Sequence, residues 1–371
     1  MRILFVLPRM VTGGVERVTL HLITKFKNEG HFCLLALGSC RGELAEEAKA
    51  LVDVRELAGN GLWGFIPRLT KIIREWQPTH IITAFADVAL LAWVARWSAR
   101  SNAALVHGVH GTPVRDMSRP ALQSFLRHRC DKAMAMYVCR HADLVIAVSQ
   151  GLGREVHLDY RVPVGRIRTI YNPVIPDVDQ FVDSQWRVNN GGNTRIVALG
   201  RLAWEKGFDV LVRAMTHIPR SLSWTLDIYG EGAERPSLEA LITSCDLYDR
   251  IRLRGYTADP FDVLHDAELF VLPSRHEGLG NVLVEAMACG AQIVACDCRH
   301  GPREILEGGK LGQLVPVEDP GALASAITKV LTGEKRYDPR QLMLRARMFT
   351  VSASYTLWRE ALLDVQRNTS R

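Results

Sequence analysis

The sequence lacks the long apolar runs of a membrane protein. Its apolar segments, such as residues 3–7 and 269–272, are far shorter than the roughly 20 residues that a membrane-spanning helix needs. The first of them is also too short for the apolar core of a signal peptide, and no small-residue cleavage site follows it. We therefore expect a cytoplasmic protein whose first apolar segment is a buried strand.

The sequence also lacks the cysteine pattern of a disulfide framework or a zinc site. Its eight cysteines are scattered without a CxxC pair, and several stand inside apolar segments. This favours reduced, buried thiols. His107 and His110 have no third ligand nearby at a spacing typical of zinc sites. Low-complexity tracts and internal repeats are absent as well, which excludes solenoid architectures.

Charge is unevenly distributed. The net charge of +6 is modest for 371 residues, so we expect no nucleic-acid partner. Between Arg115 and His141, however, six Lys or Arg residues stand against two acidic ones. Apolar residues recur there at near-helical spacing, namely Leu122, Phe125, Leu126, Ala133, Met136 and Tyr137. This pattern predicts a basic amphipathic helix, which either packs on the core with a solvated basic face or docks on an anionic membrane surface or lipid-linked substrate.

Apolar runs alternate with helical patterns along the whole chain. Strands are predicted at residues 3–7, 32–37, 80–83, 104–109 and 144–148, then at 196–199, 225–229, 251–253, 269–272 and 293–295. Helical patterns lie between them, for example at residues 15–28, 67–76, 88–99 and 122–137. Such alternation is typical of parallel sheets covered by helices on both faces. We predict an α/β fold with two Rossmann-like domains facing each other across a cleft.

The domain boundary is predicted in residues 172–194, which contain Pro173, Pro176 and a run of Asn and Gly residues. These residues form turn-rich linkers. The N-terminal, acceptor-binding domain would comprise residues 1–171, and the donor-binding domain residues 195–351. The terminal segment, 352–371, carries Tyr355, Trp358 and Leu362 on one side of a helix and is expected to pack back toward the N-terminal domain.

One stretch narrows the function most. Between Pro273 and Gly290 the chain reads PSRHEGLGNVLVEAMACG, with Glu277 and Glu285 eight positions apart. Gly278 and Gly280 come just before good helix formers, so a tight turn should lead into a helix N-terminus. The free N–H groups and the helix dipole at such an end suit a diphosphate. With Glu285 about two turns into the helix, the carboxylates would lie roughly 10 Å apart, which matches a diphosphate between two hydroxyl-bearing rings.

Further candidates follow other predicted strands, where ligands bind in open parallel sheets. Gly13 and Gly14 follow the first strand, although the motif is not GxGxxG. His110 follows the fourth strand and can contact a substrate hydroxyl. Arg201 and Lys206 share one loop and could neutralise a diphosphate as charge grows on it. Each of these residues also has an ordinary structural explanation when it is taken alone.

The order of these motifs resembles the retaining glycosyltransferases of family 4, which have the GT-B fold. The sequence has GGxE near its N-terminus, a strand-end histidine, GRxxxEKG, a YGxG turn at residues 229–232, and Glu-x7-Glu. GRxxxEKG and Glu-x7-Glu are specific, whereas GGxE and YGxG are generic. The resemblance extends over nearly the whole chain.

The resemblance implies a role for each matching residue. Arg201 and Lys206 would hold the donor diphosphate, and Glu285 would bind the ribose hydroxyls. Glu277 and the Gly278 to Gly280 backbone would contact the transferred sugar and phosphate. The remaining implied contacts are Leu279, Asn281 and the Tyr256 backbone on the donor, Gly13 and Gly14 beside its phosphate, His110 near the reacting sugar, and Glu16 and Thr112 on the acceptor side. Of these, we expect His110, Arg201, Lys206 and Glu277 to be catalytic.

The resemblance also implies a mechanism. Retention would follow a front-face route in which the leaving phosphate accepts the acceptor proton, so no general base is assigned. A glycosidase would use two such glutamates as acid and nucleophile. The position of Glu285 inside the helix, where the resemblance places the nucleoside, argues against that. The Asp-x-Asp at Asp177 follows Pro176, and we interpret it as a solvated turn. We expect metal-independent transfer without a cofactor.

A weaker sequence resemblance, at residues 300–305, indicates the kind of acceptor. Residues 300–305, HGPREI, resemble a form found in bacterial enzymes that build O-antigen, capsule or lipopolysaccharide. We expect transfer of a hexose or N-acetylhexosamine from a UDP-sugar to a lipid-linked saccharide, peripherally at the inner face of the cytoplasmic membrane. Two alternatives stay open: a nucleotide-sugar epimerase of the same architecture, and a non-catalytic protein that binds nucleotide sugars or membranes.

Overall fold

The computed structural model describes residues 1–57, 62–113, 121–177 and 193–369. It contains two compact units, Met1–Pro176 with Thr350–Arg371, and Asp177–Phe349. Each unit has its own parallel sheet with helices against it, which confirms the two Rossmann-like domains of an α/β fold.

The strands and helices in the described residues are as follows. The strands are β1 (Arg2–Leu7), β2 (Phe32–Leu37), β3 (Asp53–Glu56), β4 (His80–Thr83), β5 (Ala104–Val109), β6 (Leu144–Ala147), β7 (Ile167–Thr169), β8 (Thr194–Leu199), β9 (Trp224–Tyr229), β10 (Ile251–Gly255), β11 (Leu269–Leu272), β12 (Gln292–Cys296) and β13 (Gln313–Val315). The helices are α1 (Gly14–Asn28), α2 (Ala45–Leu51), α3 (Leu62–Trp76), α4 (Ala86–Ala99), α5 (Ala121–His141), α6 (Gln150–Leu158), α7 (Phe208–Met215), α8 (Arg235–Ser244), α9 (Pro260–Leu264), α10 (Asn281–Ala288), α11 (Pro302–Ile305), α12 (Pro320–Leu331), α13 (Pro339–Ala346) and α14 (Val351–Thr369).

The first unit is built on a seven-stranded sheet in the order β3-β2-β1-β4-β5-β6-β7, and all its strand pairs are parallel. Its central strands are buried on both faces, as the apolar runs predicted. The terminal helix α14 packs on this unit. Tyr355, Trp358 and Leu362 join the core layer that contains Phe26 of α1, and His80 bonds the Leu362 carbonyl oxygen at 2.9 Å.

The second unit has a six-stranded parallel sheet in the order β10-β9-β8-β11-β12-β13. β8 and β11 are central, so the segments after them, which carry the candidate Lys206 and Glu277, leave neighbouring strands at the same edge. The core on one face includes Leu211 of α7 and Ile327 of α12, which pack against Ile196 and Val294. This edge of a rigid sheet is therefore where the donor-binding candidates are held.

Helix α5 differs from its prediction. Three apolar residues that would face the core under the first of the two alternatives are exposed, with Leu122 at 69%, Phe125 at 44% and Leu126 at 53% of their full accessible area. Its buried face is formed instead by Ser124, Ala135, Val138 and Cys139. Core packing is therefore the wrong alternative for Leu122, Phe125 and Leu126, because mostly small residues, which allow a close approach, make the contact. Arg115 and Arg119 of the basic segment lie outside the described residues.

Within the described residues, no helix combines the length and the apolar character needed to cross a membrane.

Candidate active site

The glycine-rich turn before α10 opens into a helix as predicted. Gly280 is the N-cap, with φ +94°, and Asn281 is the first helical residue. Leu279 is buried beneath the turn. Because the helix begins at Asn281, Glu285 lies about one turn inside it rather than two, and only 8% of Glu285 is exposed. The helix thus begins at a glycine turn, and the positive end of its dipole favours an anion there.

Lys206 and Glu277 are in contact. The Lys206 Nζ lies 2.7 Å from the Glu277 Oε1, and the side chains are 22% and 8% exposed. Ser274 donates its hydroxyl to the same carboxylate oxygen at 2.7 Å. This direct ion pair was not expected from the sequence, which assigned the two residues to separate parts of one ligand. Since an ammonium group has three donors, Lys206 can hold Glu277 and still bind a second anion.

Arg201 makes a separate ion pair. Its guanidinium bonds Glu205, four residues later, at 2.6 Å, and its side chain is 71% exposed. Arg201 and Lys206 thus come from one loop but have different carboxylate partners. The exposure of Arg201 leaves its guanidinium able to change partners when an anion binds.

Glycines hold the loops at this edge of the sheet against one another. A Cβ at Gly207 would overlap the Pro273 carbonyl oxygen, and one at Gly301 would overlap the Leu279 carbonyl oxygen. Gly230 and Gly232 lie equally close to the carbonyl oxygens of Gly200 and Leu202. We call these four contacts the glycine platform. They pack backbone on backbone, so the loops after β8, β9, β11 and β12 form one support for the Lys206–Glu277 pair.

Arg275 is a buried residue that the sequence did not single out. Its guanidinium bonds both carboxylate oxygens of Asp209 at 2.8 Å, the carboxylate of Glu318, and the Trp204 carbonyl oxygen at 2.6 Å. It also lies over the Trp204 ring, 4.9 Å from its centre. Burial lowers the pKa of Arg275, but the hydrogen bonds with Asp209 and Glu318 outweigh it and raise the pKa overall. Its partners are distant in sequence, so no local pattern could reveal them.

Tyr256 follows β10 directly and its side chain is half exposed. The adjoining carbonyl oxygen of Gly255 accepts the Gly230 N–H at 2.7 Å. The Tyr256 backbone is therefore tied to the loop after β9, beside the glycine platform.

In the first unit, the glycine turn after β1 meets a carboxylate of its own chain. Gly13 is the N-cap of α1, and a Cβ there would overlap the carboxylate of Glu16. Glu16 is 5% exposed and lies in the first turn of α1. An acidic group at this end is favoured by the helix dipole. The group that lies close to Gly13 is thus the Glu16 carboxylate. The contact of Gly13 with a donor phosphate stays a prediction.

His110 stands just after β5, as predicted. Its Nδ1 is buried and makes no hydrogen bond within the described residues. A Cβ at Gly108 would lie 3.1 Å from the His110 Nε2, so this glycine makes room for the ring. Burial lowers the pKa of His110 to about 4, and the pKa of His107, which bonds Thr83, is about 4 for the same reason. Near neutral pH His110 is therefore an uncharged imidazole with one unused buried nitrogen; Thr112 lies half-buried two residues further on.

Two family models match the chain. One, described as Glycosyltransferase Family 4, matches residues 12–178, and the other, Glycosyl transferases group 1, matches residues 193–333. Together they cover most of the sequence, including every candidate site residue. The fold and these matches define a glycosyltransferase of the GT-B type. More particularly, the chain belongs to the glycosyltransferases of family 4, and residues 193–333 match the model of glycosyl transferases group 1.

Curated relatives with similar sequences include two named glycosyltransferases. The chain is 27% identical to the N-acetylgalactosamine-N,N'-diacetylbacillosaminyl-diphospho-undecaprenol 4-alpha-N-acetylgalactosaminyltransferase of Campylobacter jejuni, over 52% of each chain. It is 32% identical to the lipopolysaccharide core biosynthesis glycosyltransferase LpsE of Rhizobium meliloti, over 37% of this chain and 39% of LpsE. The matched region thus spans about half or less of these relatives' lengths.

Solved structures support the fold over the full length. The lipopolysaccharide outer core galactosyltransferase WaaB is 19% identical with a TM-score of 0.76, covering 98% of this chain and 99% of its own. The Anabaena protein HepE, crystallised with UDP-glucose, is 20% identical with a TM-score of 0.80, covering 98% and 100%.

Proposed function

We propose that this protein is a retaining glycosyltransferase that moves a hexose or N-acetylhexosamine from a UDP-sugar to a lipid-linked saccharide in bacterial surface polysaccharide or lipopolysaccharide synthesis. The observation that carries the proposal is the partly buried Lys206–Glu277 ion pair beside the N-terminus of α10. A cation, a fixed carboxylate and a helix N-terminus are what a sugar diphosphate needs. HepE, which shares the fold, binds UDP-glucose, and this supports the choice of donor.

The donor diphosphate would be held by Lys206 and the first N–H groups of α10, with Arg201 turning to it from Glu205. These groups stabilise the charge that grows on the diphosphate as it leaves. Lys206 and Ser274 both bond one carboxylate oxygen of Glu277. The other carboxylate oxygen can therefore accept a hydrogen bond from a hydroxyl of the transferred sugar. Glu285, buried one turn into α10, would bind the ribose hydroxyls.

Transfer would take place on one face of the sugar. The acceptor hydroxyl oxygen bonds to the anomeric carbon as the bond from that carbon to the phosphate oxygen breaks, and the hydroxyl proton passes to that phosphate oxygen. No general base and no metal ion are required, since Arg201 and Lys206 supply the positive charge. His110, uncharged near neutral pH, offers a hydrogen bond to a sugar hydroxyl rather than a charge.

The acceptor would bind to the first unit, with Glu16 and Thr112 beside His110. Helix α5 supports an acceptor embedded in a membrane. Trp93 of α4 packs against Tyr137 of α5 with ring centres 5.9 Å apart. The first residue of α4 is seven positions before Trp93, whereas that of α5 is sixteen before Tyr137. At about 1.5 Å per residue, the 21-residue α5 is roughly 10 Å longer than the 14-residue α4, and its first turns lie well before this contact.

The first turns of α5 combine apolar and basic side chains. Leu122, Phe125 and Leu126 are exposed there, and Arg127, Arg129 and Lys132 are exposed on the same turns. Apolar insertion together with cations is the combination that holds a peripheral protein on anionic lipid. We propose that these turns dock on the inner face of the cytoplasmic membrane and bring the acceptor to the first unit.

The function is tested by incubating the protein with a panel of nucleotide sugars and a polyprenyl-linked saccharide, and measuring nucleoside diphosphate release. We expect release with one donor, dependent on the acceptor and lost in Glu277→Ala. A sugar isomer formed without acceptor would indicate an epimerase. Binding of nucleotide without any turnover would indicate a non-catalytic protein. Either result would contradict the proposal.

A further inference from the structure

The turn that carries Lys206 is docked on the segment that carries Glu277. Trp204–Lys206 form a single 3-10 turn after β8. The backbone N–H groups of Arg275 and His276 both donate to the Glu205 carbonyl oxygen, at 2.9 and 3.3 Å. The Arg275 guanidinium donates to the Trp204 carbonyl oxygen at 2.6 Å. Three of the donors that hold this turn thus come from two residues just before Glu277.

Arg275 is itself held from the other side. Asp209 on α7 accepts two hydrogen bonds from its guanidinium, and Glu318, just before α12, accepts others. The Arg275 side chain is only 6% exposed. Each of the two carboxylates bonds the planar guanidinium at two nitrogens and so fixes its orientation. The flexible ammonium of a lysine could not be held in this way. The guanidinium therefore joins α7, the Lys206 turn and the segment before α12 at one point.

We propose that Arg275 is a positioning residue that sets Lys206 against Glu277 for the donor diphosphate. It touches neither sugar nor phosphate and acts through the Trp204–Lys206 turn. Without its guanidinium, the Trp204 carbonyl oxygen and the Trp204 ring lose their partner, and Asp209 and Glu318 are left as like charges facing each other. The turn then loses its fixed position, and the Lys206 Nζ is no longer held where a diphosphate needs it. This inference rests on the proposed nucleotide-diphosphate donor.

The test compares UDP with UMP, which lacks the second phosphate, by calorimetric titration of the full chain. Wild type should bind UDP more tightly than UMP. Arg275→Ala should lose most of this preference, by about tenfold or more in the ratio of dissociation constants, a difference of about 1.4 kcal/mol. Adding Arg275→Ala to Lys206→Ala should reduce UDP affinity no further, because both changes remove the same contact.

Matched variants separate positioning from stability. Arg195→Ala removes another arginine of this unit, one that pairs with Asp227 and Asp266 at the start of β8. It should lower the melting temperature and leave the preference for UDP unchanged. If Arg275→Ala does not fold, Glu318→Gln, which keeps the Asp209 contact, should show a smaller loss of preference in the same direction.

Three results would contradict these expectations. A preference for UDP that survives Arg275→Ala and Glu318→Gln, or losses that add fully in the double variant, would overturn the role of Arg275 alone. Absence of any preference for UDP in the wild type would overturn the proposed function.

Discussion

At the scale of single residues, Lys206 is the group whose chemistry the proposal uses most. It holds Glu277 at 2.7 Å and remains 22% exposed, so it reaches both the carboxylate and the space that a donor would occupy. We assign it to the diphosphate because α10 begins beside it. Glu277 then serves the sugar rather than acting as a general base.

Lys206→Ala should weaken donor binding by about 1.5 to 3 kcal/mol, the usual worth of a hydrogen bond to a charged group. Turnover should fall too, because charge on the leaving diphosphate loses its stabilisation. The measurement is UDP affinity together with initial rates. Lys329→Ala, an exposed lysine on α12, is the matched control and should change neither. Unchanged UDP affinity and turnover in Lys206→Ala would mean that Lys206 does not contact the donor.

His107 and His110 make the fold sensitive to acid. Burial lowers the pKa of each from its ordinary value of 6.5 to about 4. Between those values the unfolded chain binds more protons than the folded one, so stability is lost as the pH falls from about 6.5 toward 4. Denaturant unfolding at pH 7 and pH 5 should show a smaller loss in the His107→Gln, His110→Gln double variant. If the free energy of unfolding falls equally in the wild type and the double variant, groups other than His107 and His110 cause the acid sensitivity.

At the scale of helices and loops, the exposed turns of α5 predict salt-dependent membrane binding. Changing Arg127, Arg129 and Lys132 together to Gln should reduce binding to vesicles containing anionic lipid. The reduction should be largest at low salt, since screening already weakens these contacts at high salt. Vesicle co-sedimentation measures this, with Lys310, Lys329 and Lys335 changed to Gln as a matched control. Unchanged binding would mean that these turns of α5 are merely solvated.

The glycine platform can be tested at Gly207. Its φ is +67°, and a Cβ there would overlap the Pro273 carbonyl oxygen. Gly333 has a similar φ of +76° but open space around it, so Gly333→Ala isolates the backbone strain, about 1 to 2 kcal/mol. Gly207→Ala should destabilise the protein by more than this and also lower turnover, because the Lys206 turn must shift. Equal destabilisation by the two changes in denaturant unfolding, with turnover intact, would refute the platform's role.

Sequence patterns predicted strands best in the interior of the sheets. β2, β4, β5 and β11 have the predicted bounds, because each is largely apolar and lies between two other strands. β3, β7 and β13 were missed, since they are short and partly exposed at the sheet edges. Helix α5 was predicted to exist, but its buried face was not, because small residues carry no strong periodic signal.

At the scale of the whole molecule, the alternation of strands and helices sufficed to predict two Rossmann-like units. It could place the site residues after particular strands, as with His110 and the turn before α10. It could not supply contacts between residues far apart in sequence, such as Lys206 with Glu277 or Arg275 with Asp209 and Glu318. Those contacts depend on which strands become neighbours, which local pattern does not encode.

The candidate groups are divided between the two units. Lys206, Glu277 and Glu285 belong to the second unit, and His110, Glu16 and Thr112 to the first. We assign no side chain beside Lys206 as a nucleophile or a general base. In the proposed mechanism the leaving phosphate must therefore take the proton of the acceptor hydroxyl. That route places acceptor and leaving group on one face of the sugar, so it fixes the stereochemistry of the product.

The anomeric configuration of the product is therefore the most direct measurement. The donor found in the nucleotide-sugar panel, α-linked to its nucleotide, is incubated with the acceptor, and the new glycosidic linkage is determined by NMR before any slow rearrangement. We predict an α-linkage, the configuration of the donor. A β-linked product would contradict the account, since inversion needs attack from the opposite face and a base to receive the acceptor proton.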